Sequence, residues 1–167
     1  MTEDNNPKWR AARELISQFG LTEWPDYVIK ELLIAQGRRL HTPEDYEQLK
    51  DDIKTWLKDF PVKAWKLENR NLTLDSFNDW SKKELVRRVG ELQQLSQGTL
   101  AASDQTLDPA RQQRMQDRLK QQGPTQEPII AFQKPDGLEL MEGWHRTQQS
   151  LALFPEGYPA RIWVGYT

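Results

Sequence analysis

The chain has 167 residues, a formal net charge of −2 and a mean hydropathy of −0.84, which suits one domain, or one small domain with an appendage, under a strongly polar surface. A hydrophobic fraction of 37% with seven Trp supplies a core, while the charge argues against a protein that holds DNA mainly by neutralising phosphates and leaves room only for a local basic patch. The absence of cysteine excludes disulfides, zinc–thiolate sites and thiol catalysis.

In chain order, residues 7–19 carry Trp9, Ala12, Leu15, Ile16 and Phe19 at helical spacing, with Asn6 as N-cap, Pro7 in the first turn and Gly20 as the stop. Residues 25–36 predict a second helix ended by Gly37. Thr42 caps a third over residues 43–60, with Tyr46, Leu49, Ile53, Trp56 and Leu57 on one stripe. Residues 1–59 thus form a helical N-terminal region, near the lower size limit for independent stability and expected to pack on the remainder of the chain. Trp9 and Trp56 fit the core of such helices better than a base-stacking role. His41, before Pro43, fits a turn.

From Pro61 the texture changes. Residues 62–67 read as a strand and residues 69–80 as turn-rich. Ser81 is expected to cap a helix to about Leu95, interrupted by Gly90. Residues 96–106 read as an exposed polar loop, and Asp108-Pro109 starts a helix that Gly123 stops. Next come two short strands, 128–133 and 138–142, joined by a Lys-Pro-Asp-Gly turn. A helix begins after Gly143, and residues 160–166 make a last strand. The order strand, helices, strand, strand, helix, strand predicts an α+β fold with a small mixed β-sheet flanked by helices, spanning residues 60–167.

The stretch 138–154 concentrates the chemistry. An apolar strand turns at Gly143 into a helix whose first turn carries Trp144, His145 and Arg146. Such a turn leaves backbone N–H groups unpartnered and partial positive charge at its end, a plausible phosphate cradle. Glu127 and Glu142 flank it as candidate metal ligands or general bases, each set against the plainer role of a solvated or capping carboxylate. Lys82, Lys83, Arg87 and Arg88 form the densest basic patch, from which Arg87 and Arg88 could reach a phosphate, set against the plainer reading of a solvated helix face. Arg111, Arg114 and Arg118, with Lys120 nearby, line one helix side that nucleic acid could meet.

The same residues carry a resemblance. Residues 61–73, the run RMQDRLKQQG with EPIIAF, and the closing DGLELMEGWHRTQQSLALF with YPARIWVG resemble the ParB/sulfiredoxin-like superfamily, often labelled ParB-like nuclease domains, over residues 60–167. The box Glu142-Gly143-Trp144-His145-Arg146 is similar to the phosphate-holding boxes of that superfamily, whose members include CTP-binding and ATP-using proteins. The resemblance implies a nucleotide or phosphorylated small molecule bound by Gly143, Trp144, His145, Arg146 and Thr147. ATP or CTP with Mg²⁺ is the implied cofactor, and Glu127, Glu142 and His145 are the candidate catalytic groups. Trp144 stands where sulfiredoxins carry their nucleophilic cysteine, so that reduction chemistry is not expected. ParB proteins add a helix-turn-helix reader after this domain; the chain ends at Thr167, and centromere binding is not expected.

The sequence supports three readings of function: a nucleotide-using NTPase or phosphotransferase, a DNA-binding protein or nuclease, and a non-catalytic module docking a protein partner through residues 7–59. No apolar run reaches the roughly 18–20 residues of a membrane span, and the polar start MTEDNNPKWR is unlike a signal peptide. A cytoplasmic location without membrane contact is the expectation.

Overall fold

The structure, a computed structural model, describes residues 7–20, 23–34, 42–59, 61–96, 109–124 and 126–167. Asn6, Gln36, Gly37, His41, the loop residues 97–106 and Asp108 lie outside the described residues, as do the side chains of Trp9, Ala12, Tyr46, Ile53, Trp56 and Leu57. The chain divides into two compact units: residues 1–66 with 164–167, and residues 67–163.

In the first unit, α1 (Pro7–Gln18) ends at Gly20, and α2 (Asp26–Val28) continues directly as a π-helical turn, Ile29–Ile34. Leu15 and Ile16 of α1 are buried, as are Val28, Ile29 and Leu32 of the second helix. Helix α3 (Pro43–Asp59) opens on reciprocal bonds: Asp45 N–H donates to Thr42 Oγ1 at 3.2 Å, and Thr42 N–H donates to the Asp45 carboxylate at 2.9 Å. This is the capping-box arrangement with Asp in the acidic place. Trp24 and Trp65 meet edge-on at 5.1 Å, and Lys63 N–H donates to Tyr166 O at 2.7 Å.

The α+β architecture from residue 60 onward matches the expected order of elements. Strands β1 (Ala64–Leu72), β2 (Ile129–Lys134), β3 (Gly137–Glu142) and β4 (Tyr158–Tyr166) form one sheet in the order β1-β4-β2-β3. Helices α4 (Asp79–Ser96), α5 (Pro109–Gln122) and α6 (Trp144–Leu153) belong to the second unit, where α6 packs against α4 and α5, and α4 against β3. Ile129 to Phe132 are buried without a break, as an inner strand covered on both faces requires. The edge strand β3 instead alternates, with Leu138 and Leu140 inside.

Three local expectations are corrected. The opening strand does not stop at residue 67 but runs to Leu72. Residues 68–71 are polar because β1 is an edge strand with a wet face, where Arg70 pairs with Glu68 at 2.7 Å and reaches Gln133. The cap of α4 is Asn78, not Ser81: its side-chain oxygen accepts the Ser81 N–H at 2.9 Å. The Ser81 hydroxyl, fully buried, accepts the Leu140 N–H at 2.9 Å instead. Finally, α4 passes Gly90 uninterrupted, a glycine in a helix interior costing only about 1 kcal/mol relative to Ala.

The outer edge of β3 is thereby closed. Asn78 N–H donates to Leu138 O at 2.9 Å, a parallel bridge joins Phe77 to Leu138, and the Ser81 hydroxyl takes the next N–H. This satisfies an edge that would otherwise offer itself for pairing. Gly137 permits the approach, since a Cβ there would lie 2.8 Å from the Phe77 carbonyl carbon and 2.9 Å from Asn78 N. Among the described residues no helix is long and apolar enough to cross a membrane.

Candidate functional site

The site is built where β3 hands over to α6. Gly143 is the N-cap, at φ +96° and ψ +24°, and a Cβ there would lie 2.5 Å from Ile129 Cγ2. Only glycine combines that left-handed backbone with that proximity to β2. Having no side chain, it leaves the first turn of α6 without a side-chain cap, unlike α3 and α4. Thr147 locks the turn from within: its N–H and its hydroxyl both donate to Gly143 O, at 3.0 and 2.9 Å, and the side chain is fully buried.

The predicted site residues separate into two groups. On one side, Arg146 folds back towards the entry of β2, pairing with Glu127 at 2.6 Å and donating to Pro128 O at 3.2 Å. Glu127 and Arg146 are thus brought together. Tyr158 lies buried near them; burial pushes its phenol up to about 12, against the opposing pull of the Thr147 hydroxyl and the Arg146 charge. The phenol oxygen itself has no hydrogen-bond partner among the described residues. Glu142 ends β3 half-buried, opposite Ile130 in the ladder, and its carboxylate makes no hydrogen bond or ion pair to another described residue.

On the other side, Trp144 and His145 face the helices. The Arg88 guanidinium lies 5.0 Å from the Trp144 ring centre, and Trp80 meets Trp144 edge-on at 5.6 Å and 86°. Arg88 also donates to Glu84 at 2.9 Å and to Gln148 at 3.4 Å, and the Gln148 amide lies 3.4 Å from His145 Nδ1. The imidazole is held below the ordinary histidine value, first by burial and then by the charges of Arg111 and Arg88. The neutral imidazole is therefore favoured at pH 7. Arg111 is exposed and forms no ion pair among the described residues.

Three members of this arrangement were not readable from the sequence. Arg88 fits the pattern of a solvated face, but it clamps Trp144 and Gln148. Arg111 belongs to an α5 stripe whose Arg114, Arg118 and Lys120 are also exposed, and its charge is felt at His145. Trp80 stood in a turn-rich stretch; its signal was the spacing Trp80, Glu84, Arg88, which places the three on one helix face. Lys82 pairs with Asp75 and Arg87 with Glu84 and Glu91, so most of the dense basic patch is internally compensated.

Comparison of the chain with protein-family models, curated proteins and solved structures gives no match.

Proposed function

We propose that this chain binds a nucleotide or another phosphorylated small molecule at the junction 142–147, as a ParB/sulfiredoxin-like domain, and that its chemistry is that of an NTPase or phosphotransferase. One observation carries the reading: the first turn of α6 starts at Gly143 without a side-chain cap, and Arg111, exposed and without an ion pair among the described residues, adds its charge at His145, whose pKa is lowered first by burial and then by Arg111 and Arg88. An anion is the ligand that balances such a charge, and the open N–H groups are its donors. Arg146, already paired with Glu127, then serves chiefly to hold the junction against β2, and it would meet phosphate only by leaving that carboxylate.

No group of three His, Asp or Glu side chains is gathered among the described residues. Mg²⁺ suits such a site because it takes one or two protein carboxylates and finds its other ligands in phosphate oxygens and water. Glu142 would be the protein carboxylate, and the ion would neutralise charge on the phosphates. Neutral His145 is the base available at pH 7, able to accept a proton from an attacking water or hydroxyl.

The test is thermal stability with ATP, CTP, GTP, ADP and pyrophosphate, with and without Mg²⁺, on the wild type and Arg111→Gln. A ligand at 100 times its Kd stabilises by about 2.7 kcal/mol, and the shift should shrink in Arg111→Gln. Absence of any shift with all five ligands would sink the reading. A nucleic-acid reading rests on the exposed Arg111, Arg114 and Arg118 of α5; it requires salt-sensitive DNA binding that disappears when those three are reversed in charge.

A further inference from the structure

We propose that Trp80 is the base-stacking platform of this site, so that the ligand is a mononucleotide and not inorganic phosphate or a sugar phosphate; this rests on the phosphate reading above. Trp80 is 60% exposed, more than Leu67 or Val86, the other large apolar side chains exposed among the described residues. An indole left in water forgoes much of the stabilisation its burial would supply. Position makes the exposure specific. Trp80 rests against Trp144, the first residue of α6, and the next residue is His145. The exposed aromatic surface and the anion-seeking turn are therefore contiguous, as the two ends of a nucleotide are.

The platform is braced. Trp144 is fixed by the Arg88 guanidinium, which Glu84 and Gln148 hold in turn. Trp80 then stands nearly perpendicular to Trp144, at 86°, with its remaining surface open. A planar base laid on that surface gains stacking, and a cation beside it adds attraction to the π-system.

A single base fits better than a strand. Sequence-tolerant strand binding needs a basic groove that tracks the backbone from base to base. Beside Trp80 the cations are neutralised in place: Arg87 by Glu84 and Glu91, Arg88 by Glu84, and Lys82 by Asp75. The uncompensated cation is Arg111 of α5, exposed and without an ion pair among the described residues, whose charge acts on His145, the residue after Trp144.

The experiment compares Kd values of the full chain for ATP, GTP, CTP and UTP with that for tripolyphosphate, in the wild type, Trp80→Ala and Trp80→Phe. The best nucleotide should bind the wild type about ten-fold tighter than tripolyphosphate. Trp80→Ala should abolish that preference and leave the tripolyphosphate Kd unchanged, while Trp80→Phe should keep most of it. Equal binding of nucleotides and tripolyphosphate by the wild type, or an undiminished preference in Trp80→Ala, overturns the proposal and leaves the phosphate reading standing. Trp80-dependent binding of a short oligo-dT strand, tighter than any mononucleotide, also overturns it. If neither nucleotides nor tripolyphosphate bind, both readings fall together.

Discussion

Residues 147–150 of α6 and residues 82–91 of α4 are both largely polar runs in the same unit, and they meet opposite fates. Thr147, Gln148, Gln149 and Ser150 are each no more than 1% exposed, because α4 and α5 both pack on α6. Inside, polar atoms seek partners: Thr147 finds Gly143 O, Gln148 finds Arg88 and His145, and Gln149 donates to the buried Gln112, while its own Oε1 is left without a partner among the described residues. On α4 most charged groups pair within their own helix, Arg87 with Glu84 and Glu91 and Arg88 with Glu84, while Lys82 pairs with Asp75 just before it, and water reaches most of them. Residue type separates the two runs, uncharged amides and hydroxyls inside against charged groups outside. Burial sets what a substitution costs, since an orphaned buried group loses its full solvation while an exposed ion pair contributes little.

The largest expected effect lies at the hinge of the buried run. Gly143→Ala forces a Cβ into Ile129 on a left-handed backbone, and strain and overpacking together should destabilise the protein by about 3 kcal/mol. Urea unfolding measures this; a loss under about 1 kcal/mol would mean that the junction relaxes freely. Next comes the buried amide pair. Gln149→Leu should cost about 1–3 kcal/mol by stranding Gln112, and Gln112→Leu should cost a similar amount. The double variant should cost much less than their sum, because no half-satisfied amide remains. Strict additivity would show that the pair is not coupled. Ser81→Ala, which strands the Leu140 N–H, should rank third at about 1–2 kcal/mol, with hydrogen exchange at Leu140 speeding up.

How far the sequence discloses these features depends on their range. Local signals are legible: the Thr42 cap of α3, the stops at Gly20 and Gly123, the Pro-Asp-Gly hairpin and the Gly143 junction each depend on residues a few positions apart. Features set by distant partners are not. Residues 69–72 look like a turn until β4 pairs with β1 and leaves them on an edge. Ser81 looks like a cap, and only the approach of β3 turns its hydroxyl to the Leu140 N–H and leaves the helix end to Asn78. The box itself is visible, but Glu127 as the partner of Arg146, and Trp80, Arg88 and Arg111 around Trp144 and His145, come from tertiary packing that no periodicity encodes.

The smallest expected effect tests the exposed side of the comparison. Arg87→Ala should change stability at pH 7 by no more than about 0.5 kcal/mol, despite removing contacts to two carboxylates. Acid should reveal what neutral pH conceals. The Arg87 guanidinium, assisted by Arg88, holds Glu84 down to about 2 against the upward push of burial, from an ordinary 4.5. A depressed carboxylate contributes stability above its unfolded pKa and loses it as pH falls towards its folded one. The Glu84 contribution is therefore complete above pH 4.5 and disappears between there and about pH 2. In Glu84→Gln that titration is gone, so stability should fall less steeply than in the wild type across that window. An unchanged acid limb would mean that the network on α4 is electrostatically idle. A loss at pH 7 in Arg87→Ala as large as that of Ser81→Ala would mean that exposure is a poor guide to which polar contacts hold this unit together.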